Sequence, residues 1–103
     1  MTIKFGNDYL ESLYMGVDLP GKPRFNDSVV KKFQKTILLL RQIENVSKIQ
    51  QFRGLHFERL KGDLKDYCSV RVDQKYRLIL SVEGEDFLSA EVLTVEDLSN
   101  HYQ

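Results

Sequence analysis

Tyr67-Cys68-Ser69-Val70-Arg71-Val72 alternates cleanly, and Tyr76-Arg77-Leu78-Ile79-Leu80-Ser81-Val82 does the same after the three residues Asp73-Gln74-Lys75. A period of two is the signature of a strand with one buried face. Cys68, Val70 and Val72 then share a core face with Tyr76, Leu78, Leu80 and Val82, while Ser69 and Arg71 share the other with Arg77, Ile79 and Ser81. With Val72 and Tyr76 both facing the core, the three-residue loop makes them an opposed pair. The register continues as Arg71 opposite Arg77 and Val70 opposite Leu78. Two guanidinium groups thus lie side by side on one face. Like charges in that position are destabilising unless something compensates. Paired forks suit a phosphate; the alternative is that each arginine pairs with an acid such as Glu91.

Outward from this hairpin, Glu83-Gly84-Glu85-Asp86 reads as a turn and residues 87–95 as a last strand. Upstream, residues 55–60 alternate loosely as a strand, followed by turn chemistry at Lys61-Gly62-Asp63. The period before Gly54 is helical. Val29, Val30, Phe33, Ile37, Leu40 and Ile43 form one buried stripe of a helix that starts at an N-cap among Asn26, Asp27 and Ser28 and runs to about residue 46. Its Lys31, Lys32, Lys35 and Arg41 read as a solvated face. A shorter helix follows the cap Asn7, with Leu10, Leu13 and Tyr14 at helical spacing and Gly16 as its stop. A short strand is expected at Ile3-Lys4-Phe5, and the segment 18–23, with both prolines, is a loop. The pattern predicts an α+β fold, two N-terminal helices packed on one face of a mainly antiparallel sheet.

With 103 residues the chain has room for one domain, 1–103, and one core, so chemistry is expected on an open groove. No apolar run approaches the length of a membrane span and the start lacks the apolar stretch of a secretory signal, so no membrane partner and a cytoplasmic location are expected. Cys68 is the only cysteine, which excludes an internal disulfide; with His56 and His101 the only histidines, no metal and no other cofactor is expected. The formal net charge of zero conceals a division. Residues 28–77 carry a net +7, residues 78–103 a net −6, and residues 1–27 a net −1. On charge alone the blocks read as solvated faces of their own elements, with a surface for a polyanion as the alternative. Tyr67 and Tyr76 read as core aromatics and Cys68 as a small buried hydrophobe.

The ordered set Leu60-Lys61-Gly62-Asp63-Leu64, Ser69-Val70-Arg71-Val72, Tyr76-Arg77 and a C-terminal His101-Tyr102 resembles the RelE/ParE superfamily of bacterial toxins, in particular the HigB-like plasmid-maintenance killer proteins. The resemblance implies a RelE-like α+β domain that cleaves messenger RNA in the ribosomal A site and is neutralised by a helix-turn-helix, HigA-like antitoxin. Glu58 stands where many relatives have a histidine, with His56 two residues earlier. The closing Asp-Tyr-His of many relatives is replaced by Asp97-Leu98 and a reversed His101-Tyr102.

Metal-independent cleavage uses the substrate's own 2′-hydroxyl, so the protein must help remove its proton, stabilise charge on phosphorus and protonate the leaving 5′-oxygen. The expected catalytic set is Lys61, Arg71, Arg77, His101 and Tyr102, with Arg59, Lys65 and Lys75 on the RNA phosphates and His56, Glu58 and Asp97 as further catalytic candidates. Two other readings stay open: a non-catalytic, gyrase-inhibiting toxin of the same fold, and a degenerate toxin that serves only as antitoxin partner.

Overall fold

The computed structural model describes residues 1–101. A strand β1 (Thr2–Phe5) leads into helices α1 (Asp8–Met15) and α2 (Asp27–Gln42), then a short helix α3 (Val46–Ile49). Strands β2 (Glu58–Arg59), β3 (Tyr67–Arg71), β4 (Arg77–Val82) and β5 (Val92–Ser99) follow. The five strands form one sheet in the order β1-β5-β4-β3-β2. All neighbours are antiparallel except β1, which runs parallel to β5. Among the described residues no helix is long and apolar enough to cross a membrane.

The caps follow local chemistry. Asn7 accepts from the Leu10 amide at 2.9 Å and Asn26 from the Val29 amide at 3.0 Å, each satisfying an orphan donor of the first turn. Gly16 ends α1 at φ 76°, a left-handed position where a side chain would be strained. The buried stripe of α2 is Val29, Phe33, Thr36, Ile37 and Leu40. It packs with Leu10 and Leu13 of α1 against Cys68, Val70, Leu78, Leu80, Leu93 and Val95 in a single core. The helices therefore cover one face of the sheet, as the apolar pattern predicts.

Four expectations about the elements need correction. Helix α2 stops at Gln42, because Ile43 adopts extended backbone (φ −84°, ψ 140°). The separate α3 starts where the Val46 and Ser47 amides donate to the Ala90 and Leu88 carbonyls, partners that the sequence pattern does not reveal. The expected strand over residues 55–60 shrinks to β2; before it, Arg53–Leu55 makes a 3-10 turn that buries Leu55, and His56 sits in the left-handed region at φ 43°. Consequently His56 is not on a regular strand face. The last strand begins at Val92, not at 87, and continues to Ser99. Tyr67 lies on the face opposite Cys68 and does not pack on the core, whereas Tyr76 does, meeting Phe25 edge-on with ring centroids 5.5 Å apart.

The register of β5 carries the site. Leu80 pairs with Val95 but Ile79 pairs with Asp97, so Glu96 is an extra residue and β5 is bulged there. Strict alternation from Val95 would turn Asp97 into the core and Leu98 out. The bulge reverses this, burying Leu98 and placing Asp97 and Ser99 on the face of Arg77. Gly6 packs against the same spot: its amide donates to the Val95 carbonyl, and a Cβ there would collide with the Glu96 carboxylate.

Candidate active site

Arg71 and Arg77 are a directly opposed cross-strand pair, as the hairpin arithmetic requires. The loop between them is locked by Asp73, whose carboxylate accepts from the amides of Lys75 and Tyr76 at 2.8 and 2.7 Å. Neither arginine pairs with an acid. The expected alternative partner Glu91 is exposed and precedes β5, and the ion pair between Lys4 and Glu83 is the only one among the described residues.

The two side chains are instead held by neutral acceptors. Arg77 lies across the sheet, with Nε donating to Ser69 Oγ at 3.0 Å and Nη2 donating to the backbone carbonyls of His56 and Ser69. Arg71 donates from Nε to the Asp73 carbonyl at 3.2 Å, and its Nη1 meets His56 Nε2 at 3.3 Å. An arginine N–H can only donate, so Nε2 must offer its lone pair and the ring proton sits on Nδ1. The left-handed backbone at His56 thus serves both arginines, with a ring nitrogen for one and a carbonyl for the other. The Arg77 Nη1 group and the Arg71 Nη2 group keep their protons for a ligand.

Partial burial lowers the affinity of Arg77 for its proton; Glu58 opposes that shift and the Arg71 charge adds to it. Glu58 faces the same side, being paired with Ser69 across β2 and β3. The result is a concave pocket of about 180 Å³ walled by His56, Arg71, Asp73, Gln74, Lys75 and Arg77. Five of the residues singled out in the sequence therefore converge here: Arg71, Arg77, Lys75 and His56 in the wall, and Glu58 on the adjoining strand. Ser69, buried to 1% exposure, is the member that sequence reasoning missed. Its place on the arginine face in the alternation, two residues before Arg71, was the available signal.

Other predicted residues lie elsewhere. Lys61 and Lys65 flank a 3-10 turn (Gly62–Leu64) at the Tyr67 end of β3, roughly 13 Å of strand from Arg71 at about 3.3 Å per residue. Arg59 pairs with Cys68 and so lies on the helix side of the sheet, its guanidinium 3.9 Å from the Phe87 ring centroid. His101 and Asp97 line a separate cleft at the end of the sheet with Arg24, Phe25, Tyr76 and Ser99. Ser99 is directly opposite Arg77, which joins this cleft to the arginine side of the sheet. Arg24 was hidden in a net-acidic segment; it is brought to the cleft by stacking on Tyr9, 4.5 Å from the ring centroid. Tyr102 lies outside the described residues. Among the described residues, no three His, Cys, Asp or Glu side chains gather as a metal site.

Comparisons with known proteins agree with this architecture. Residues 3–93 match the family model described as the RelE-like toxin of the type II toxin-antitoxin system HigB. That span includes β2 to β4 and the arginine pair and stops short of His101. Toxin HigB-1 of Vibrio cholerae is 31% identical over 85 residues, covering 82% of this chain and 87% of that protein. The fold resembles a YoeB/ParE toxin from Agrobacterium tumefaciens, with a TM-score of 0.58 and 23% identity over 99% of this chain and 100% of that one. It also resembles the structure titled as a YoeB-YefM complex from Staphylococcus aureus, with a TM-score of 0.55 and 21% identity over 99% of this chain and 98% of that one.

Proposed function

Because the chain belongs to the HigB-like family of RelE-like toxins of type II toxin-antitoxin systems, we propose that it is an endoribonuclease whose Arg71 and Arg77 grip the scissile phosphate of messenger RNA. The observation that carries this reading is the opposed pair of arginines without a carboxylate partner, each oriented by neutral acceptors with N–H groups to spare.

The chemistry can be assigned to groups. Attack by the 2′-hydroxyl places additional negative charge on the phosphoryl oxygens, and two fixed guanidinium forks stabilise that charge more in the transition state than in the substrate. Glu58, a carboxylate on the same sheet face, takes the 2′-hydroxyl proton. His56 positions Arg71, since its free lone pair is already engaged there. His101, delivered two residues beyond Ser99, protonates the leaving 5′-oxygen, with Tyr102 beside it in sequence. Lys75 adds charge at the pocket rim, while Lys61 and Lys65 hold phosphates further along the strand. Asp97, which lines the same cleft, orients His101.

As a toxin of such a system the protein has an antitoxin as its partner. The finer proposal is a helix-turn-helix, HigA-like antitoxin, a cytoplasmic site of action, and messenger RNA presented in the ribosomal A site. The test is induction of wild type, Arg71→Gln and Arg77→Gln in cells with mapping of RNA ends. Growth arrest with messenger cleavage in wild type, and neither in the folded variants, is expected. Arrest without cleavage would move the protein to the non-catalytic class.

A further inference from the structure

Beside the arginine pocket lies a second groove that the phosphate clamp does not use. Leu39 of α2, Phe52, Arg53 and Leu55 of the segment after α3, and Arg71 and Val72 at the end of β3 line an open, shallow groove of about 350 Å³. Arg71 lines both cavities. Phe52 is 40% exposed, unusual for an aromatic ring. Its backbone is held at this place, because its amide donates to the Ile49 carbonyl at 2.9 Å and its carbonyl accepts from the Leu55 amide at 2.9 Å. No carboxylate lines the groove, and two guanidinium groups do.

We propose that this groove holds the base of an RNA nucleotide adjacent to the gripped phosphate, with Phe52 as the surface on which the base stacks. The inference rests on the phosphate clamp proposed above, because it is Arg71 that joins the two cavities. A planar apolar wall next to cations, with no acid to compete, matches a ligand that is aromatic at one point and anionic at the next. A purely apolar peptide side chain would fill the floor but leave the two positive charges without an anion. Since every base has a π face, the stacking supplies affinity and register along the strand before it supplies sequence preference.

The experiment compares two probes: an oligoadenylate with 2′-O-methyl sugars, which cannot be cleaved, and an abasic ribose-phosphate chain of equal length. Phe52→Ala should weaken binding of the oligoadenylate roughly tenfold and leave the abasic chain unchanged. Phe52→Leu, which keeps apolar bulk without a flat face, should behave like Phe52→Ala, and Phe52→Trp should restore binding. Equal losses on both probes, or wild-type behaviour of Phe52→Leu, would overturn the assignment. So would weakened antitoxin binding with RNA binding intact, which would give the groove to the protein partner. Arg77→Gln reads the clamp separately and should weaken both probes. If it weakens neither, or if wild type binds neither, the clamp fails and takes the base site with it, whereas failure of the Phe52 comparison alone leaves the clamp standing.

Discussion

Replacing Ser69 with alanine should loosen Arg77 without touching its charge. The Ser69 hydroxyl accepts from Arg77 Nε at 3.0 Å, and the residue is only 1% exposed. A hydrogen bond to a charged group contributes about 1.5–3 kcal/mol. Arg77 is half-buried, so water can reach the freed Nε–H, and the expected loss of stability is nearer to about 1 kcal/mol. Nη2 keeps its bonds to the carbonyls of His56 and Ser69, so the guanidinium stays in the pocket but with one anchor fewer. Poorer orientation should lower RNA cleavage about tenfold, mostly in kcat. Urea unfolding and single-turnover cleavage measure the two effects. The decisive comparison is a double-mutant cycle with Arg77→Met: in that background Ser69→Ala should be neutral or stabilising, because the hydroxyl no longer has its donor. Equal destabilisation in both backgrounds would show that Ser69 acts by packing and would refute the positioning argument.

Other outcomes follow from the same geometry. Removal of residues 101–103 should leave antitoxin binding near normal and reduce cleavage by roughly 10²–10⁴-fold, as for a lost general acid or base; full cleavage would transfer that role to Glu58 or His56. Cleavage of ribosome-bound messenger RNA should not change when magnesium is varied within the range that keeps ribosomes assembled, since guanidinium groups carry the phosphate charge, and a rate that rises with the ion over that range would contradict this. Burial raises the Cys68 thiol from its ordinary 9.0 to about 12, with the Arg59 charge opposing the shift. The unfolded chain therefore loses this proton first, and stability should fall as pH rises from about 9 toward 12, with a shallower fall in Cys68→Ala. A thiol reagent at pH 8 should label Cys68 only on unfolding.

Much of the framework was legible because each signal is local. The caps Asn7 and Asn26, the stop at Gly16 and the stripe of α2 depend on neighbours a few residues away. The opposition of Arg71 and Arg77 was legible for the same reason: two clean alternations joined by a three-residue loop leave one register with both core faces buried. Elements that depend on distant partners were misread. Residues 55–60 alternate like a strand, but burying Leu55 through a 3-10 turn leaves only Glu58–Arg59 to pair with β3. The start of α3 depends on carbonyls some forty residues away, at Leu88 and Ala90.

The sequence by itself determined the class of the fold, the cross-strand arginines and the family, because periodicity, hairpin length and an ordered motif are properties of the chain read in one dimension. Only the tertiary structure decided which charged residues meet. It bent His56 into a left-handed turn beneath both arginines and sent Arg59 to the opposite face against Phe87. It also left Lys61 and Lys65 at the far end of β3, and used one extra residue at Glu96 to turn Asp97 and Ser99 toward Arg77. Side-chain direction alternates with every residue and inverts at each bulge or left-handed turn. A displacement of one residue, too small to alter the pattern of a segment, therefore moves a functional group to the other face of the sheet.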